Sequence, residues 1–201
     1  MSGINFVLHY RIFTFQFGHI RRNSEFKAYF LIFLVSMFLV SLSIHGEVYD
    51  SISDSLRYGA FQVASLMTTT GYVTADYALW PSFAKAILFI MFFVGGSVGS
   101  TGGGIKVMRS LTLAKQALTE FKYLLYPKGV FKTHLNGGPV NKTFIYSILG
   151  FVFLYFFMLF ITTCVVASAG TDLLSSFSAS LAIVGNVGPD FALVGTTENY
   201  A

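Results

Sequence analysis

The chain has 201 residues, of which 54% are hydrophobic and only 11% charged, with 23 phenylalanines and a net charge of +4. A globular domain carries about 25% charged residues, and one or two soluble domains of this length could not bury so much apolar surface, so the excess calls for lipid. The positive charge does not indicate nucleic acid, because it is gathered in blocks between apolar segments.

In chain order, residues 1–27 carry Arg11, Arg21, Arg22 and Lys27 against Glu25. Met1 to Tyr10 has no basic stretch ahead of its apolar residues, and no small-residue cleavage site precedes Arg11, so a signal peptide is not expected. Residues 28–44 form an apolar run interrupted only by serines. As a helix it spans roughly 25 Å at about 1.5 Å per residue, near the lower limit for crossing a bilayer. A shorter helix is predicted at 55–67, followed by Thr68-Thr69-Thr70-Gly71-Tyr72 at 68–72.

The next helix, predicted over 82–118, is broken by the run from Gly95 to Gly104. Broken helices persist in a membrane only where protein or a watery cavity satisfies their backbone. A basic linker is predicted at 119–142. A second spanning helix at 143–167 is long enough to cross with tilt. A short helix at 173–184 then leads to Gly185-Asn186-Val187-Gly188-Pro189 at 185–189. Gly71 and Gly188 lie 117 positions apart, so 28–118 and 143–201 read as two copies of one unit, the second stopping before a return helix.

Charge sets the orientation. Lys106, Arg109, Lys115, Lys122, Lys128, Lys132 and Lys142 oppose only Glu120 between Ile105 and Lys142. The segments around the two glycine turns are acidic instead. The positive-inside rule puts the basic stretches in the cytoplasm and both turns near the outer face. Asn141-Lys142-Thr143 matches a glycosylation acceptor, but its cytoplasmic side makes the match accidental.

Two re-entrant turns can aim backbone carbonyls at a dehydrated cation. Gly71 can adopt φ > 0 without a Cβ penalty, threonine hydroxyls can add an oxygen layer, and the preceding helix points its partially negative end at the cavity. A Thr-rich turn that merely caps a helix has the same composition. The glycine block has rival readings as well. Gly95-Gly96-Ser97-Val98-Gly99 fits a serine-nucleophile pattern, but a membrane helix precedes it where a strand is required, and His134 is the only later histidine. A P-loop fails because Ile105 separates Gly104 from Lys106. Small-residue helix packing competes with a flexible gate built on Gly95, Gly96, Gly99, Gly102, Gly103 and Gly104; six glycines would destabilise a continuous helix by about 1 kcal/mol each. Lys106 and Arg109 read either as interfacial snorkelling residues or as positive charge at the inner pore. His9, His19, His45 and His134 are too scattered for a metal site. Cys164 lies in an apolar run and has no intrachain partner.

Thr68 to Tyr72, the block from Gly95 to Lys106 and Gly185 to Pro189, taken in order, resemble the Trk/Ktr/HKT superfamily of potassium transporters, and within it the bacterial Trk-type uptake subunit. Ser2 to Phe6 resembles the cytoplasmic end of that family's second repeat. The resemblance implies an all-α integral membrane fold of helix, re-entrant pore loop and helix, repeated four times around a cation pore, of which about one and a half repeats lie here. It implies a selectivity filter at Thr68, Thr69, Thr70, Gly71, Tyr72, Gly185, Asn186, Val187 and Gly188, with potassium passing Thr69, Thr70, Gly71, Asn186, Val187 and Gly188. Gly95 to Gly104 would be the gating loop below the filter. Asp190 departs from the family pattern, which usually has glycine after that proline.

No catalysis and no cofactor beyond transported potassium are expected. The implied partners are membrane lipid, the remaining pore repeats, a second full subunit in a homodimer, and a cytosolic nucleotide-binding regulatory subunit meeting 105–142. The implied location is the bacterial inner (plasma) membrane, crossed several times. A structural or regulatory membrane protein, or a channel assembled from two such chains, remains the alternative at this stage.

Overall fold

The computed structural model describes residues 3–16, 18, 23–136 and 138–188. Within these residues the helices are α1 (Phe6–Phe13), α2 (Ser24–Ile44), α3 (Ile52–Met67), α4 (Ser82–Phe93), α5 (Val107–Leu125), α6 (Lys142–Ala167) and α7 (Leu173–Gly185). A single 3₁₀ turn, Tyr77–Leu79, precedes α4. Two-residue strands pair Val94–Gly95 with Ile105–Lys106 in parallel, and His134–Leu135 with Gly138–Pro139 antiparallel.

Several boundaries differ from those expected. Helix α2 starts four residues before the apolar run, because the Asn23 side chain accepts the Phe26 N–H at 3.1 Å and caps it there. The added turn brings α2 to 21 residues, about 31 Å of rise. The short helix α3 likewise begins at Ile52 rather than Ser55. The segment expected as a linker from 119 is helical to Leu125. It then folds into the small hairpin, which Lys115 Nζ and the Thr133 hydroxyl tie back to α5 through His134 O (3.1 Å) and Gln116 Oε1 (2.6 Å).

Helices α2 and α6 are long and apolar enough to cross a membrane. Both are apolar on nearly every face, the signature of a helix that meets protein on one side and lipid on the other. Phe30, Leu31, Phe38 and Leu42 of α2, and Phe153, Phe157 and Phe160 of α6, point outward.

Between these spans the core joins Val40 and Ile44 of α2, Val63 and Leu66 of α3, Leu88 and Phe92 of α4, Leu159 of α6 and Leu181 of α7. Helix α3 approaches α2 closely at Gly59, where a Cβ would stand 2.6 Å from the Ser41 hydroxyl. The return path after the first turn is pinned as well. Gln62 Nε2 donates to Ala75 O at 3.1 Å, and Tyr77 and Trp80 are buried against the core. Helices α3 and α7 are thus held as short rods behind the two turns that follow them.

Candidate ion pathway

Both short helices end in the same way. After α3, the Thr69 N–H bonds to Leu66 O and the Thr70 N–H to Ser65 O, each at 3.0 Å, with Thr69 left-handed at φ +52. After α7, the Asn186 N–H bonds to Ile183 O at 3.0 Å and the Val187 N–H to Ala182 O at 2.9 Å, with Asn186 at φ +55. Each is a Schellman cap. Two residues beyond each left-handed position comes a positive-φ glycine, Gly71 at +72 and Gly188 at +109. Thr69 and Asn186 are 117 positions apart, as are Gly71 and Gly188. The spacing seen in the sequence is therefore a repeat of backbone conformation.

The two turns face one cleft of about 520 Å³, lined by Thr69, Thr70, Asn186, Val187 and Gly188 with Ala182 and Ile183 of α7. Gly71 and Tyr72 do not line it. Tyr72 is largely exposed, and its carbonyl accepts the Ser65 hydroxyl at 2.6 Å. Gly185 is the last residue of α7 and is buried behind its turn.

The hydroxyls of Thr68 and Thr70 are oriented by the end of α3. Thr68 Oγ1 donates to Ala64 O at 2.7 Å and lies 3.0 Å from Thr70 Oγ1, which in turn donates to Ser65 O at 3.3 Å. The final carbonyls of a helix lack donors, and neighbouring hydroxyls supply them. Pro189 and Asp190 lie outside the described residues.

The glycine block between α4 and α5 sits against both turns. Its ends are zipped together by the Val94–Ile105 and Gly95–Lys106 pairs, so residues 96–104 form a closed excursion. The Gly103 N–H donates to Thr69 Oγ1 at 2.8 Å. A Cβ on Gly103 would collide with Gly185 O and come within 3.0 Å of Asn186 Cβ. A Cβ on Gly95 would collide with Gly103 O, and one on Gly102 would press on Thr69 Oγ1 at 3.3 Å and Thr68 O at 3.4 Å. Gly99 (φ +75) and Gly104 (φ +63) supply the left-handed bends. These glycines allow close backbone approach, and the loop is seated against both turns and bonded to Thr69.

Other segments hold it from below. The Ser97 N–H donates to Gly3 O at 2.9 Å and the Phe6 N–H to Gly99 O at 3.1 Å, so the N-terminal segment is part of the site. Lys106 Nζ reaches Ser100 O at 3.3 Å and also bonds Gly102 O. It is thus a tether of the loop and does not snorkel to solvent. Arg109, whose charge acts on Lys106, places its guanidinium 3.7 Å over the Phe151 ring of α6.

The enzyme-like reading of Ser97 finds no support. Its hydroxyl is buried without a hydrogen-bond partner, while His134 Nδ1 pairs with Lys132 O at 2.8 Å. Among the described residues no His, Cys, Asp and Glu side chains gather as a metal site, and the oxygens lining the cleft are those of backbone, threonine and asparagine.

The family model described as TrkH, cation transport protein, matches residues 1–196. This chain belongs to the TrkH family. It is 31% identical to the Trk system potassium uptake protein TrkH of Salmonella typhimurium, over 100% of this chain and 42% of that protein. It is 35% identical to TrkH of Vibrio parahaemolyticus, over 94% of this chain and 40% of the relative. With TrkG of Escherichia coli K12 the identity is 31%, over 98% and 41%. The crystal structure of the potassium transporter TrkH from Vibrio parahaemolyticus superposes with a TM-score of 0.88 at 32% identity, covering 96% of this chain and 42% of that one. The chain spans about two fifths of the length of these TrkH-family relatives.

Proposed function

We propose that this chain forms part of a Trk-type potassium uptake protein of the bacterial inner membrane, supplying two of four filter segments and the intramembrane gate beneath them. The observation that carries this reading is the pair of identically capped turns facing one cleft, with a single glycine loop wedged against both. Carbonyls of the turns would replace the hydration shell of potassium. The C-terminal ends of α3 and α7 add about half an elementary charge of attraction each. The seated loop would occlude the path until displaced.

The remaining repeats of the same protein would complete the ring, lipid would cover α2 and α6, and two full subunits would pair. A cytosolic nucleotide-binding regulatory subunit would meet the basic 105–142 stretch, whose outer residues Leu118, Phe121, Leu124 and Tyr126 are exposed.

Rubidium or potassium flux through the reconstituted whole protein tests the reading, and absence of flux would favour a purely structural role. A polypeptide limited to residues 1–201 is expected not to rescue cells that depend on external potassium, because it offers two filter turns where four are needed. Rescue by that polypeptide would favour a channel assembled from two chains. Orientation has its own test. Cysteines placed near Glu47 or Glu198 should react with an impermeant thiol reagent added outside, and one near Lys128 should not. The reverse pattern would overturn the filter assignment.

A further inference from the structure

Glu25 is the acidic side chain that burial singles out among the described residues, at only 4% exposed. It stands in the first turn of α2, yet its bonds go elsewhere. Oε1 accepts the Val98 N–H at 2.6 Å, and the Met108 N–H lies toward the carboxylate. Val98 is midway along the glycine loop, and Met108 is the second residue of α5. Helix α5 has no side-chain cap of its own. The carboxylate from α2 therefore serves as the anion at its N-terminus while gripping the loop that precedes it.

On the loop's other flank Lys106 holds the Ser100 and Gly102 carbonyls, and its charge acts on Glu25. Two opposite charges thus clamp the same nine-residue excursion, both bonded to its backbone. If the loop leaves the turns, both lose those bonds together. A buried carboxylate stripped of its donors is strongly disfavoured unless a cation replaces them, and Lys106 is the cation among the described residues whose charge acts on it.

We infer that Glu25 is the latch of the intramembrane loop: a positioning residue whose carboxylate keeps the loop seated against both turns, and which exchanges its bond to Val98 for Lys106 when the loop moves. The latch rests on the ion-pathway reading for its part in transport, and on geometry alone for its hold on the loop.

Hydrogen–deuterium exchange on the whole protein in lipid, resolved over residues 94–108, tests the hold. In Glu25→Ala the Val98 amide should exchange about tenfold faster, the loss expected of a charge-assisted bond, with α6 and α7 unchanged. Glu25→Gln, which keeps an acceptor without charge, should fall between. Rubidium flux in the same variants should rise several-fold at unchanged potassium-over-sodium preference, since the turns are untouched. Unaltered exchange at Val98 in Glu25→Ala would overturn the latch. So would exchange rising equally through α6 and α7 in both variants, which would mark a general folding role. A wild type that carries no rubidium would instead overturn the pathway reading, and with it the latch's part in opening.

Discussion

Gly103→Ala is expected to unseat the loop and raise basal rubidium flux through the whole protein by roughly tenfold. The reason is steric. The added methyl would overlap Gly185 O and crowd Asn186 Cβ at 3.0 Å, and neither group can yield cheaply. Gly185 O belongs to the last residue of α7, and Asn186 is fixed by its bond to Ile183 O. Overpacking against such a site costs about 1–3 kcal/mol, enough to shift a two-state loop by a factor of about ten. Gly103 is not among the positive-φ glycines, so alanine strains no backbone there and the effect isolates the contact. Gly138→Ala is the control, because the nearest atom to its Cβ would be 3.9 Å away. Unchanged flux in Gly103→Ala would mean that the loop does not obstruct the path.

That same loop shows where the sequence stopped being legible. Six glycines in ten residues announced a break in a membrane helix, and flexibility was the natural inference from their composition. What composition does not carry is the partner. Gly95, Gly102 and Gly103 are glycines because other atoms occupy or crowd the space of a Cβ: Gly103 itself at Gly95, and for the other two, partners far along the chain in Thr68, Thr69 and Gly185.

The spanning helices and the two turns were readable because their signals are local. An apolar run has a length, and a repeated turn has a spacing. Glu25 was hidden for the opposite reason, since in a tally of charges it was one acid among basic neighbours. Its clue was position, an acid in the first turn of a membrane helix with Asn23 as a ready cap ahead of it. Reading that cap would also have placed the start of α2. The extension of α5 to Leu125 was masked by lysines, although Leu118, Phe121 and Leu125 continue a helical spacing. Docking of Gly3 and Phe6 against the loop had no local signal at all.

The second large effect is expected at the turn glycines, and the two should differ. Gly71 at φ +72 lies near the left-handed well that other residues can enter at about 1–2 kcal/mol. Gly188 at φ +109 lies beyond it, in backbone territory that L-residues rarely adopt. A Cβ on Gly188 would meet no atom within 4 Å, so space is not the constraint there; conformation is. Gly188→Ser must therefore rotate the turn, carrying the neighbouring carbonyls off the pathway. Potassium-over-sodium permeability of the whole protein should fall by roughly 5–30-fold in Gly71→Ser, the span of 1–2 kcal/mol, and further in Gly188→Ser, with protein abundance less affected. Gly71→Asn should be milder than Gly71→Ser, because asparagine tolerates the left-handed region, as Asn186 already does at φ +55. Gly188→Asn should gain no such relief. Equal permeability ratios in wild type and both serine variants would remove the turns from the ion path, and a milder loss at Gly188 than at Gly71 would contradict the backbone geometry on which their role depends.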